Sequence, residues 1–159
     1  MADVVGRSTR SRMMAAIKSK DTAPEKFVQA ELARWHISFD AHSKDLPGKP
    51  DLLVRLHQVA IFVNGCFWHR HDGCFYATTP ASHKDFWVNK LAETVRRDSR
   101  KRAELEAQGW RVIVVWECGM KHCASDFDEV IDAIEGEIVL SEWPVEPPRI
   151  RMEWSTTSD

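Results

Sequence analysis

An α/β fold, a mixed β-sheet flanked by α-helices, is the class that the sequence predicts, and three observations carry it. Two runs of β-branched and apolar residues, Val59 to Val63 and Trp110 to Trp116, have the unbroken hydrophobicity of strands covered on both faces. Caps and apolar stripes signal helices around them, in the order helix, three strands, loop, long helix, strand, helix. A length of 159 residues with 43% hydrophobic content suffices for one core and argues against two independent domains.

A basic segment, Arg7 to Lys20, comes first, with Met13, Met14 and Ile17 on a short stripe among Arg10, Arg12, Lys18 and Lys20; it reads as an arm or a small helix. Thr22-Ala23-Pro24-Glu25 has the form of a capping box with Pro in the first turn. The helix it opens has Phe27, Leu32 and Trp35 on its apolar face, with Val28 and Ala30 beside them. After Ile37-Ser38-Phe39, the turn Leu46-Pro47-Gly48-Lys49-Pro50 delivers Asp51 to the head of a strand, Leu52 to Leu56, and Val59 to Val63 follows at hairpin distance. Residues 64–85 are polar and rich in Cys, His and aromatics, an irregular loop of a length that compact domains usually keep for function. A long helix spans about Phe86 to Gln108 and stops at Gly109, with Leu91, Val95, Arg102 and Leu105 in one stripe that also holds Asp98. The second buried strand and a short amphipathic helix, Phe127 to Ile134, complete the domain. This divides the chain into an arm at 1–20, a folded domain at 21–140 and a loose tail at 141–159 rich in Pro, Arg, Ser and Thr.

Composition narrows the function classes. Mean hydropathy is −0.39, charged residues make up 29%, and no apolar run approaches the roughly 18 residues of a membrane span. The N-terminal sequence lacks a signal peptide's apolar core, so secretion by that route is not expected. No period of 20 to 50 residues recurs, which removes solenoids and propellers. The net charge of −2 conceals an asymmetry: residues 1–116 hold 19 Lys and Arg against 13 Asp and Glu, whereas residues 117–159 hold 3 against 11. A basic body is compatible with a polyanionic partner.

Four residues can converge as metal ligands. Cys66, His71 and Cys74 are spaced C-x4-H-x2-C, and Cys118 follows the second buried strand; a tetrahedral zinc would take this set. Four protein ligands leave no open position, so the site would be structural, with His69 a rival ligand and Cys123 spare. Asp51, after Pro50, puts a carboxylate where a hard cation could sit, although a lone Asp after Pro is more often a turn residue; Glu25 likewise has a sufficient role in its capping box. Asp98 on an inward stripe needs a partner such as His, Lys or a metal. Phe67, Trp68 and Trp87 stand among polar residues, either as wedges that unstack bases or as the cover of a small loop core.

Taken together, Asp21-Thr22-Ala23-Pro24-Glu25-Lys26, Leu46 to Asp51, Gly65-Cys66-Phe67-Trp68-His69-x-His71, Phe86-Trp87-x-x-Lys90, Arg97-Asp98, Gly109-Trp110-Arg111 and Trp116-Glu117-Cys118 resemble the very-short-patch repair endonucleases of bacteria, over about Ser8 to Cys118. The resemblance implies a restriction-endonuclease-like fold and a cytoplasmic, nucleoid-associated monomer. It would bind double-stranded DNA at a T:G mismatch left by deamination of 5-methylcytosine and nick 5′ of the T. It implies catalytic Mg²⁺ on Asp51 and the Val63 carbonyl, His69 as general base or proton shuttle, and Glu25 and Asp98 in support. It implies structural Zn²⁺ on Cys66, His71, Cys74 and Cys118. It assigns DNA contacts to Phe67, Trp68, Trp87, Asn64 and Lys90, and a DNA-clamping role to the arm at 1–20. Mismatch-repair proteins and a DNA cytosine methyltransferase are its expected functional partners.

The chain departs from the best-known members at three places. Val63-Asn64 stands where they have Thr and His, the loop with Asp72-Gly73 is one residue longer, and Thr94 stands where Asn is frequent. Two competing readings follow: a zinc-stabilised mismatch-binding protein that has lost cleavage, and a dimeric restriction-type enzyme making double-strand breaks. A zinc deaminase would need an H-x-E…P-C-x-x-C set, which is absent.

Overall fold

Alternation within the apolar strands decides the architecture of the computed structural model, which describes residues 22–150. The expected arm at 1–20 and residues 151–159 lie outside the described part. Helix α1, Ala23–Arg34, begins as expected, with Thr22 Oγ accepting from the Glu25 amide at 3.3 Å. Val28 and Leu32 are its buried apolar residues, Glu25 is buried with them, and Phe27 packs at the core's edge. Trp35, expected on that face, is instead the C-cap and 45% exposed.

Strands β1, Asp40–Ala41, β2, Leu52–Val54, and β3, Val59–Asn64, form an antiparallel meander. β2 is shorter than expected because a 3₁₀ turn at Arg55–His57 and Gln58, at φ 54°, reverse the chain. An irregular loop then leads to helix α2, Lys84–Ala107, and to β4, Arg111–Trp116, which lies parallel to β3 from Val59 opposite Arg111 to Asn64 opposite Trp116. Helices α3, Glu117–His122, and α4, Asp128–Glu135, precede β5, Glu142–Trp143, which is parallel to β4. The sheet order is β1-β2-β3-β4-β5.

Successive strand residues point to opposite faces. Leu52, Val54, Val59, Ile61, Ile113 and Val115 enter one core, where Val28 and Leu32 of α1 and Val130, Ile131 and Ile134 of α4 meet them. Leu53, Ala60, Val112, Val114 and Trp116 enter a second core with Leu105 of α2 and with Cys66, Cys74 and Cys118. The central strands therefore carry apolar residues on both faces, from Val59 to Val63 in β3 and from Val112 to Trp116 in β4, with the polar Asn64 and Arg111 only at their ends. Residues 141–150, assigned to a tail on composition, are tied to this frame. Trp143 is fully buried edge-on to Phe127, with ring centroids 5.2 Å apart, and the Phe75 amide donates to the Arg149 carbonyl at 2.9 Å. No helix of the described residues is long and apolar enough to cross a membrane.

Candidate active site and metal centre

The hairpin brings the first acidic group into place. Because β2 runs antiparallel to β3, Asp51 at its head faces the end of β3, and its Oδ2 accepts the Val63 amide at 2.7 Å. Glu25, one turn into α1, lines the same cleft and is only 4% exposed. Its Oε2 lies 3.6 Å from His42 Nε2. Burial pushes the Asp51 carboxyl up to about 6, with Glu25 raising it further, against the lowering effects of the Val63 N–H, His42 and His69. Two carboxylates taken from water side by side favour a cation between them.

On the other side of the cleft His69, in the loop after β3, meets Asp98 of α2. The Nδ1–H donates to Asp98 Oδ2 at 2.6 Å. A carboxylate can only accept, so this bond places a proton on Nδ1, and in the neutral imidazole Nε2 is then the lone-pair nitrogen. Of the expected inward stripe only Leu91 and Leu105 are buried; Val95 is exposed, and Asp98 is part-buried on the cleft wall with this imidazole as its partner. Asn64, buried at the end of β3, lines the cleft between the two groups. The cleft encloses about 480 Å³.

Cys66, His71, Cys74 and Cys118 are all buried, and their ligand atoms lie within 4.8 Å of one another. His71 Nδ1 is 3.8 Å from Cys66 Sγ and 3.3 Å from Cys118 Sγ. Tetrahedral zinc with ordinary Zn–S and Zn–N bonds needs ligand separations of roughly 3.5 to 3.8 Å. The donor set fits that ion, and the two His71 separations, 3.3 and 3.8 Å, lie around that range, while the four ligand atoms together spread over as much as 4.8 Å. A hydrogen bond from Cys118, then one from His71, lower the Cys66 thiol to about 4; the Cys66–Cys118 bond and burial raise Cys118. Three thiolates this close repel one another, so full deprotonation of the set would require a metal cation. His71 also stacks on Trp116, with centroids 4.3 Å apart and planes at 10°. His69, the rival ligand, points to Asp98 instead.

The aromatic residues form one connected group. Phe67 contacts Trp68 at 5.1 Å and Trp87 at 5.8 Å, and Trp68 and Trp87 are 5.9 Å apart. Trp87 is 8% exposed, so it is the floor of the group, while Phe67 and Trp68 are half-buried above it. Lys90, one turn further along α2, is exposed.

Three features escaped the sequence reading. His42 reaches Glu25 from the edge of the sheet, at φ 56°, with its amide donating to the Asp51 carbonyl at 3.0 Å. Glu117 and Lys101 line the cleft from α3 and α2. Arg70 holds the loop by donating to the carbonyls of Phe67, Ala77 and Thr78 at 3.3, 3.0 and 2.8 Å. Glu117 lay within the Trp116-Glu117-Cys118 motif, which was a usable signal; His42, Lys101 and Arg70 carried none.

A family model described as DNA mismatch endonuclease Vsr matches residues 2–75. The DNA mismatch endonuclease Vsr of Escherichia coli (strain K12) is 40% identical over 131 residues, which are 82% of this chain and 83% of that protein. The type II nicking enzyme V.XorIIP of Xanthomonas oryzae pv. oryzae (strain KACC10331 / KXO85) is 43% identical over 118 residues, 74% of this chain and 86% of that protein. The type II nicking enzyme V.NmeAIP of Neisseria meningitidis serogroup A / serotype 4A (strain DSM 15465 / Z2491) is 38% identical over 124 residues, 78% and 88% of the two chains.

Proposed function

The chain belongs to the family of the DNA mismatch endonuclease Vsr, and from that premise we propose that it nicks double-stranded DNA 5′ of the T in a T:G mismatch left by deamination of 5-methylcytosine. The observation that carries this reading is the pairing, in one cleft, of the buried Glu25 and the part-buried Asp51 with the His69–Asp98 pair.

Hydrolysis of a phosphodiester needs a base for the attacking water and positive charge near the phosphate. His69 Nε2 is the group that accepts the proton, and Asp98 holds the tautomer that keeps it available and stabilises the imidazolium that results. Asp51 and the carbonyl of Val63, with Glu25 in support, are the hard oxygen donors that would hold Mg²⁺, and the Val63 amide fixes the Asp51 carboxylate from behind. When bound, Mg²⁺ would supply charge against the phosphate oxygens in the transition state. Cys66, His71, Cys74 and Cys118 would hold a structural Zn²⁺ that fixes the loop carrying His69. Phe67 and Trp68, in contact with Trp87, would wedge beside the mismatch, which deforms at lower cost than a matched pair. The remaining parts of the reading are a restriction-endonuclease-like fold, monomeric cytoplasmic action, DNA contacts by Asn64, Lys90 and the arm at 1–20, and linkage to a cytosine methyltransferase and mismatch-repair proteins.

Asn64 motivates the one competing reading, mismatch binding without cleavage, because an amide cannot relay a proton as an imidazole does. A strand-resolved assay in Mg²⁺ on duplexes carrying T:G or T:A, in several methyltransferase-site contexts, separates the two. A single nick 5′ of the T, dependent on the mismatch, is expected. Binding with no nick in any context would replace the nuclease by the mismatch-binding protein, and breaks in both strands would make it a restriction-type enzyme.

A further inference from the structure

The charges lining the cleft are unbalanced. Glu25, Asp51, Asp98 and Glu117 contribute four carboxylates, against Lys49 and Lys101 as lysine side chains. Each carboxylate has a partner in the protein: Glu25 faces His42, Asp51 accepts from Val63, Asp98 pairs with His69, and Glu117 lies 3.7 Å from Lys121. The Lys101 ammonium has no hydrogen bond or ion pair among the described residues. A polyanion entering such a cleft is repelled unless fixed cations meet it.

The root of Lys101 is held rather than left to swing. It lies three residues after Asp98 on α2, so the two side chains leave the helix on one face. Its stem is pressed against the turn before β2, where a Cβ placed on Gly48 would lie 2.7 Å from Lys101 Cβ and 2.9 Å from Cγ. Gly48, at φ 77°, is needed both for that backbone conformation and for this approach. The helix and the turn therefore hold the base of the lysine against the cleft wall, beside the His69–Asp98 pair. Lys101 also lines a smaller cavity of about 150 Å³ shared with Asn64, His69 and Asp98, so it stands at the junction of the two spaces.

We infer that Lys101 is a substrate-contact residue: its ammonium takes a non-bridging oxygen of a backbone phosphate on the strand being cut. The inference rests on the nuclease reading, which supplies the phosphodiester. It assigns Lys101 a share of the electrostatic affinity for DNA that is independent of base sequence, unlike the wedge role of Phe67 and Trp68. Ammonium contacts to phosphate release counterions, so they are read in the salt dependence of binding, each contributing a slope of about 0.9 in log affinity against log salt.

The experiment measures duplex affinity of the full chain across a salt series, in Ca²⁺ in place of Mg²⁺, for wild type, Lys101→Met and Lys101→Arg, with folding checked by circular dichroism. The slope should be smaller by about 0.9 in Lys101→Met, so that the variant loses roughly threefold less affinity than wild type over a fourfold rise in salt. Lys101→Arg should keep the wild-type slope. An unchanged slope in a folded Lys101→Met overturns the inference, because a lysine that only packs its stem on Gly48 contributes no counterion release. Should the Met variant fail to fold, Lys101→Gln is read by the same criterion. A wild type that nicks mismatched DNA while the slopes coincide sinks this inference alone, whereas a wild type that nicks no duplex sinks the functional reading.

Discussion

Asp51 joins the sequence to the chemistry most directly, and its titration sets a testable sign. Its carboxyl is raised from 3.8 to about 6, so between those values the folded chain binds more protons than the unfolded chain. Stability therefore falls as pH rises through that window and stays low above it. At about 1.4 kcal/mol per pKa unit the loss is at most about 3 kcal/mol. Asp51→Asn should accordingly raise the melting temperature at pH 8 in EDTA while abolishing nicking and leaving DNA binding; retained nicking would remove Asp51 from the site. Trp68→Ala should lower discrimination between T:G and T:A duplexes by roughly fivefold or more, since base–aromatic stacking contributes about 1 to 3 kcal/mol. Equal selectivity would refute the wedge. Asp51, His69, Asp98 and the four metal-centre residues were readable because each sits in a short motif with its own spacing. His42 and Lys101 were not, because what gives them meaning is a neighbour distant in sequence, Glu25 in one case and Gly48 in the other.

The elements differ in how they are held. The stretch from Cys66 to Ala77 has little regular structure, and its order comes from the buried Cys and His set, the Arg70 hydrogen bonds and the stacking of His71 on Trp116. Cys118→Ser should lower bound zinc, measured by mass spectrometry under native conditions, and destabilise the chain; full stability without zinc would remove the assignment. The two buried strands and α1 were legible from β-branched runs and a cap. β5 was not, since two residues in a Pro-rich stretch show no period, and only burial against Phe127 marks Trp143 as core. Trp143→Ala should cost about 3 to 5 kcal/mol in denaturant unfolding. Gly119 packs beneath it, where a Cβ would lie 2.5 Å from the Trp143 ring, so Gly119→Ala should cost about 1 to 3 kcal/mol through overpacking.

At the scale of the molecule, the mixed sheet divides the labour between its faces. One core, with α1 and α4, is plain packing, whereas the other also contains Cys66, Cys74 and Cys118 and supports the loop that bears His69. The fold class and the two-sided burial of β3 and β4 were legible in their unbroken apolar runs, but the position of the cleft follows from the register of β2 against β3, which no local pattern encodes. A monomer acting on one strand should nick at a rate proportional to enzyme concentration and sediment as a single chain; a second-order dependence would indicate a dimer. The loop from Cys66 to Cys74 carries a consequence for insertions and deletions. From Cys66 to His71, a candidate metal ligand, two aromatic rings and the imidazole of the cleft succeed one another, followed by Arg70, which clamps the loop, and the second candidate ligand. Adding or removing one residue there would misalign every role together. Between His71 and Cys74 lie only the exposed Asp72 and Gly73, neither of which lines the cleft. The first half of the loop is fixed in length by its own occupants, whereas the second half is constrained only through the buried His71 and Cys74 that bound it.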